Sequence, residues 1–193
     1  MYIWLAINVD EQLEHLKCKV KEVTEKLQSS NSALTLPLHI SLRISFKVYD
    51  VVFEKVVDRI SSYYASISPF DIETKDIEKS GGIVWLKMAE NSKLMKIHND
   101  LVDLLQAEFG IAPHDFDRDY LFHATLYMCK DMGSVDEAYA YLKNEYFPDC
   151  LVADKLVIGC SQTGRAGEYQ VIKTFELKNN SGEDLLTSEG ESQ

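Results

Sequence analysis

LHISL at residues 38–42 and FHATL at residues 122–126 follow one plan: apolar residue, histidine, apolar residue, hydroxyl, leucine. Along an extended strand successive side chains point to opposite faces, so residues two apart share a face. His39, Ser41 and Arg43 are therefore expected on one face, opposite Leu38, Ile40 and Leu42. In the second copy His123, Thr125 and Tyr127 are expected to oppose Phe122, Ala124 and Leu126. Each strand would offer an apolar set to a core and a polar set to something else. A wet cleft accepts such a polar face readily, whereas an unpaired polar group in a core costs ~1–3 kcal/mol. Two of five histidines would carry Ser or Thr two places on by chance about one time in ten, so context must carry the pattern.

The surrounding sequence supplies that context. Residues 2–8 form an apolar run too short for a bilayer, met almost at once by Asp10 and Glu11, and predict a first strand. Leu13, Leu16, Val20, Val23 and Leu27 recur at helical spacing between Glu11 and Gln28. A strand over 36–47 follows, then a helix from Asp50, read as its cap, to Tyr64. Two alternating runs around Gly81-Gly82 predict a hairpin. Asn91 or Ser92 opens a third helix that ends near Gly110. A strand over 120–129, a helix over 134–146 and strands over 151–160 and 168–177 complete the order β-α-β-α-β-β-α-β-α-β-β. Each histidine strand begins the same βα step, so two α+β lobes, each giving one histidine, are the economical arrangement.

Composition narrows the function. The chain has 193 residues, 46% of them hydrophobic, and a net charge of −11. Glu183, Asp184, Glu189 and Glu191 lie beyond Lys178, in a polar stretch without periodicity that reads as a disordered tail over 179–193. The body over 1–178 remains acidic, which disfavours extended nucleic-acid binding through neutralised phosphates. Small phosphorylated ligands or nucleic-acid ends in a locally basic pocket stay open. Cys18, Cys129, Cys150 and Cys160 form no CxxC pair and read as reduced, mostly buried thiols of a cytoplasmic protein. His15, His98 and His114 lack the pattern and are expected at the surface or half-buried. Trp85 and Lys87 share a face of the hairpin arm, read as core packing beside a surface lysine.

On these residues the chain resembles the 2H phosphoesterase superfamily, and within it the RNA 2′,3′-cyclic phosphodiesterase / 2′-5′ RNA ligase-like branch. The resemblance spans nearly all of residues 1–178, including YIWLAIN, GGIVWLKM and GRAGEYQVIKTFEL. It departs in having Ser41 where Thr is commoner, and LRISFKVYD without the usual Phe-Leu-Gly. The resemblance implies a bilobal α+β fold: two pseudo-symmetric lobes of antiparallel sheet, outer helices and a central cleft. It implies His39, Ser41, His123 and Thr125 as catalytic residues acting on a phosphoester without metal or cofactor. Arg43, Tyr127 and Arg165 are the expected substrate contacts. Histidine suits both acid and base roles near neutral pH, and hydroxyls can donate to phosphate oxygens. The expected partner is a phosphorylated nucleotide or RNA end, with no membrane association, on a monomer. A non-catalytic nucleotide- or RNA-end-binding module on the same fold is the alternative. No HExxH, P-loop or GxGxxG sequence is present.

Overall fold

Alternation of buried and exposed residues builds eight strands, and their order in the sheet explains why the two histidine strands meet. The computed structural model describes residues 1–178; the expected tail over 179–193 lies outside them. The strands are β1 (Tyr2–Asn8), β2 (His39–Lys47), β3 (Phe70–Ser80), β4 (Ile83–Met88), β5 (His123–Met128), β6 (Cys150–Ala153), β7 (Lys155–Ser161) and β8 (Gln170–Glu176). The helices are α1 (Glu14–Lys26), α2 (Asp50–Tyr64), α3 (Ser92–Phe109) and α4 (Met132–Leu142). All strand pairs are antiparallel, in the order β6-β3-β4-β5-β2-β1-β7-β8. The order reads as two four-stranded halves related by a pseudo-twofold, with a histidine strand innermost in each. This is the bilobal α+β architecture expected from the sequence.

The halves touch through very little backbone: β2 and β5 pair in register at Ile40 opposite Ala124. The helices supply the rest of the attachment by crossing over. The first lobe's α1 packs against α4 and β5, while α3, which follows β4, packs on β2. Leu94, Ile97, Leu101 and Leu105 of α3 and Leu16, Val20 and Val23 of α1 are buried in the core that Ile40, Leu42, Ala124 and Leu126 face. Asn91 caps α3 by accepting from the amides of Lys93 and Leu94, and Gly110 closes it at φ +66°, a conformation that favours glycine.

Where the two central strands diverge, side chains stand in for a missing strand. Asn31 accepts from the Met128 amide and donates to the Leu126 carbonyl, each at 3.0 Å, as a neighbouring β-strand would. Across the pseudo-twofold, His98 takes the same part for β2, its Nδ1 lying 2.9 Å from the Leu42 carbonyl.

Several local expectations change. The strand expected over 151–160 breaks at Asp154, so β6 joins β3 in one half and β7 joins β1 in the other. One segment thereby serves both lobes. Asp50 does not cap α2: Tyr49 precedes the helix without a side-chain bond, and Asp50 pairs with the N-terminal ammonium at 3.1 Å. None of the free cysteines is fully buried. Cys18, for example, sits off the Leu16–Val20–Val23 stripe of α1. His98, expected near the surface, is 0% exposed because its ring bonds give it a place in the core.

Asn31→Ala leaves a buried carbonyl and amide of β5 without partners and is expected to cost about 2–3 kcal/mol. Urea unfolding of the purified variant beside the wild type measures this loss.

Candidate active site

The Ile40–Ala124 pair points its side chains into the core, so its strand neighbours turn to the opposite face. In an antiparallel register this sets His39 toward Thr125 and Ser41 toward His123. All four line one cleft of about 290 Å³, with Trp4, Tyr120 and Tyr169 among its walls. The sequence thus names four residues that the structure does bring together.

Both histidines are held alike. His39 Nδ1 donates to the Pro37 carbonyl and His123 Nδ1 to the Leu121 carbonyl, each at 2.8 Å and each two residues back. A carbonyl can only accept, so Nδ1 carries the proton and Nε2 keeps its lone pair in the neutral ring. Burial pushes His39 down from 6.5 to about 4, with a smaller contribution from His123. Burial also lowers His123. Asp10 fixes the entry to β2 by accepting the Leu38 amide at 2.8 Å.

Trp4, which no sequence pattern marks, also belongs to the site. Its indole stands edge-on to His39, with ring centres 4.3 Å apart, and its Nε1 donates to Ser41 Oγ at 3.2 Å. With that oxygen accepting from tryptophan, the Ser41 proton is free to point into the cleft. Gly159 makes room for this indole: a Cβ there would lie 2.5 Å from Trp4 Cε3. In the second half Trp85 packs beside His123 at 5.3 Å between ring centres without lining the cleft itself. Lys87 pairs with Glu78 at 3.0 Å.

Strand alternation fails one residue beyond each motif. Leu5 opposes Arg43 while Ala6 opposes Ser41, and Val84 opposes Tyr127 while Trp85 opposes Thr125. Leu42 and Leu126 are thus the extra residues of two equivalent β-bulges. Each bulge turns the next side chain away from the histidine face, and Ile44 and Met128 line the cleft in its place. Tyr127 is consequently 0% exposed, its hydroxyl bonded to Ser29 Oγ, and it does not reach the cleft. Arg43 borders the cleft but is 1% exposed, packed over the Phe46 ring. Its Nη2 donates to the Ala112 carbonyl at 3.0 Å and its Nε lies 3.6 Å from Asp117. Both expectations of a shared face with histidine are corrected by the bulges. Arg165 lies outside the cleft, in an adjoining hollow, 79% exposed and 4.0 Å from Glu168.

Among the described residues, no group of three or more His, Cys, Asp or Glu side chains could hold a metal ion, and no helix is long and apolar enough to cross a membrane.

Comparison with known proteins bears on this arrangement. The family model described as the 2′-5′ RNA ligase superfamily matches residues 7–162. The structure of Escherichia coli LigT complexed with 3′-AMP is similar at a TM-score of 0.56 and 18% identity, covering 91% of this chain and 97% of that one. LigT complexed with NADP+ gives 0.56 and 16%, over 91% and 96%. TT0787 of Thermus thermophilus gives 0.63 and 14%, over 93% and 100%. At these identities the likeness shows a shared fold. No curated protein matches the chain in sequence.

Imidazole NMR titration is expected to find His39 titrating near 4 and His123 below 6.5. Since the unfolded chain binds the His39 proton more readily, this contribution to stability is complete above about pH 6.5 and is lost as pH falls toward 4. Unfolding free energies measured across that window, with His39→Gln as control, test the link.

Proposed function

Because the chain belongs to the 2′-5′ RNA ligase superfamily, and so to phosphoesterase-type enzymes of the 2H kind, we propose that it opens a cyclic phosphodiester or 2′-5′ linkage at an RNA end or nucleotide without a metal. The observation carrying this reading is the Ile40–Ala124 register, which sets two histidine–hydroxyl pairs about one cleft in pseudo-twofold relation.

Displacement at phosphorus needs a base on the entering side and an acid on the leaving side. A pseudo-twofold pair of imidazoles, each presenting Nε2, supplies both. His39, the more strongly depressed, stays neutral and accepts the proton of the attacking water. His123 gives a proton to the departing ribose oxygen. The bond from water oxygen to phosphorus forms as the bond to the ribose oxygen breaks, and a phosphomonoester results. Ser41 and Thr125 donate to the non-bridging oxygens as charge gathers there. Trp4 keeps the Ser41 proton directed at phosphate. Arg43, with Nη1 unpaired beside the cleft, adds positive potential from behind the wall and not a direct contact. Run in reverse, the same groups join a cyclic phosphate to a hydroxyl. The smallness of the cleft and its buried rings suit a nucleotide end better than a duplex.

Turnover of a nucleoside 2′,3′-cyclic phosphate should persist in EDTA. His39→Ala and His123→Ala should each lower kcat by ~10²–10⁴-fold. Zinc-restored activity after EDTA treatment would refute the metal-free chemistry. A p-nitrophenolate leaving group needs little acid assistance, so it should rescue His123→Ala and not His39→Ala. With base available above about pH 4 and the acid proton lost below 6.5, kcat/KM should peak on the acid side of neutrality. A pH–rate profile with its optimum above pH 8 would refute these assignments.

A further inference from the structure

Beside the cleft lies a hollow of about 750 Å³, and the two share Ser32, Met128 and Ala166 as a common rim. The charged residues lining it are Lys130 and Arg165, and among the described residues no carboxylate lines it. In a chain of net charge −11 such a lining is unusual. Two acids close to these cations in the chain are already engaged. Asp131 caps α4 through the Ser134 amide and hydroxyl, and Glu168 accepts from Thr163 while standing 4.0 Å from Arg165. Lys130 has no ion pair among the described residues. A larger hollow, about 1150 Å³, meets the cleft on the other side at Tyr120, but Lys75 and Lys87 there face Asp76, Glu78 and Glu90. A polyanion leaving the cleft therefore finds favourable charge in one direction.

We propose that the Lys130–Arg165 hollow is a second subsite, binding the backbone phosphate of the nucleotide that precedes the reacting end. The preferred substrate is then a single-stranded RNA oligonucleotide terminus and not a free cyclic mononucleotide. The inference rests on the phosphoesterase reading above and extends it to substrate length. The chain supports the placement, because Met128 at the end of β5 sits on the shared rim and Lys130 follows it by two residues into the hollow. Ile83 and Met128 offer an apolar wall to a base, and Ser30 a hydroxyl to its sugar or phosphate. The two cations stand at an open mouth, where a chain can enter without displacing core residues.

The test compares a nucleoside 2′,3′-cyclic phosphate with an RNA trinucleotide carrying the same end. The wild type should favour the trinucleotide at least tenfold in kcat/KM, a ratio that falls to about one in the Lys130→Ala/Arg165→Ala double variant. Binding of the 3′-phosphorylated trinucleotide needs no turnover. Its log affinity against log salt should become shallower by about 0.7 in the double variant, since the one phosphate held there is no longer neutralised. Turnover without length preference would overturn the subsite and leave the catalytic reading standing. Length-dependent binding that needs the two cations, with no turnover of either substrate, would do the reverse. A pyrophosphate-linked dinucleotide binding more tightly than the trinucleotide would also overturn the RNA assignment.

Discussion

Ile40 opposite Ala124 is the register on which the site depends, because it fixes how two otherwise separate four-stranded halves face each other. A strand has a side-chain period of two, so a slip of either strand by one residue would bury its histidine and turn its leucines into the cleft. One backbone pair is too little to hold that register alone. The crossed helices hold it, since α1 of one lobe lies over β5 of the other and α3 lies over β2. Asn31 and His98 then satisfy the carbonyls of Leu126 and Leu42, so the strands can diverge without leaving polar groups unpaired in a dry interior.

Divergence is what makes the cleft. Two strands paired along their length would close the face that carries histidine and hydroxyl. The matched bulges at Leu42 and Leu126 add to this by turning Arg43 and Tyr127 inward and setting Ile44 and Met128 at the cleft. The repeated device in both lobes argues that the pseudo-twofold extends to backbone irregularities and not merely to motif residues. The lobes are unequal where chemistry asks for it. Trp4 bonds Ser41, whereas Trp85 Nε1 is buried without a partner, and His39 is more deeply desolvated than its counterpart.

Much of the fold was legible in the chain. Period-two alternation located the strands around both histidines, helical spacing located α1, α2 and α3, and Gly81-Gly82 located the hairpin. These succeed because local backbone preference and the burial of one face agree at those positions. The break at Asp154 was hidden, since two short apolar strands in succession look like one long strand. Arg43 and Tyr127 were misplaced for a similar reason: the alternation rule assumes an unbroken ladder, and a bulge is visible only against the partner strand. Trp4 was invisible as a site residue because an apolar first strand gives no sign of which indole will lie beside a histidine.

The sequence by itself determined the identity of the four motif residues, the faces they take on their own strands and the two-lobed order of elements. All of these follow from local periodicity. Only the tertiary structure decided that both pairs share one cleft, that Tyr127 leaves it, that Trp4 enters it and that Lys130 and Arg165 gather beside it. Those outcomes depend on contacts between residues far apart in the chain, where register, bulge and helix crossing are settled by packing against partners that no local pattern records.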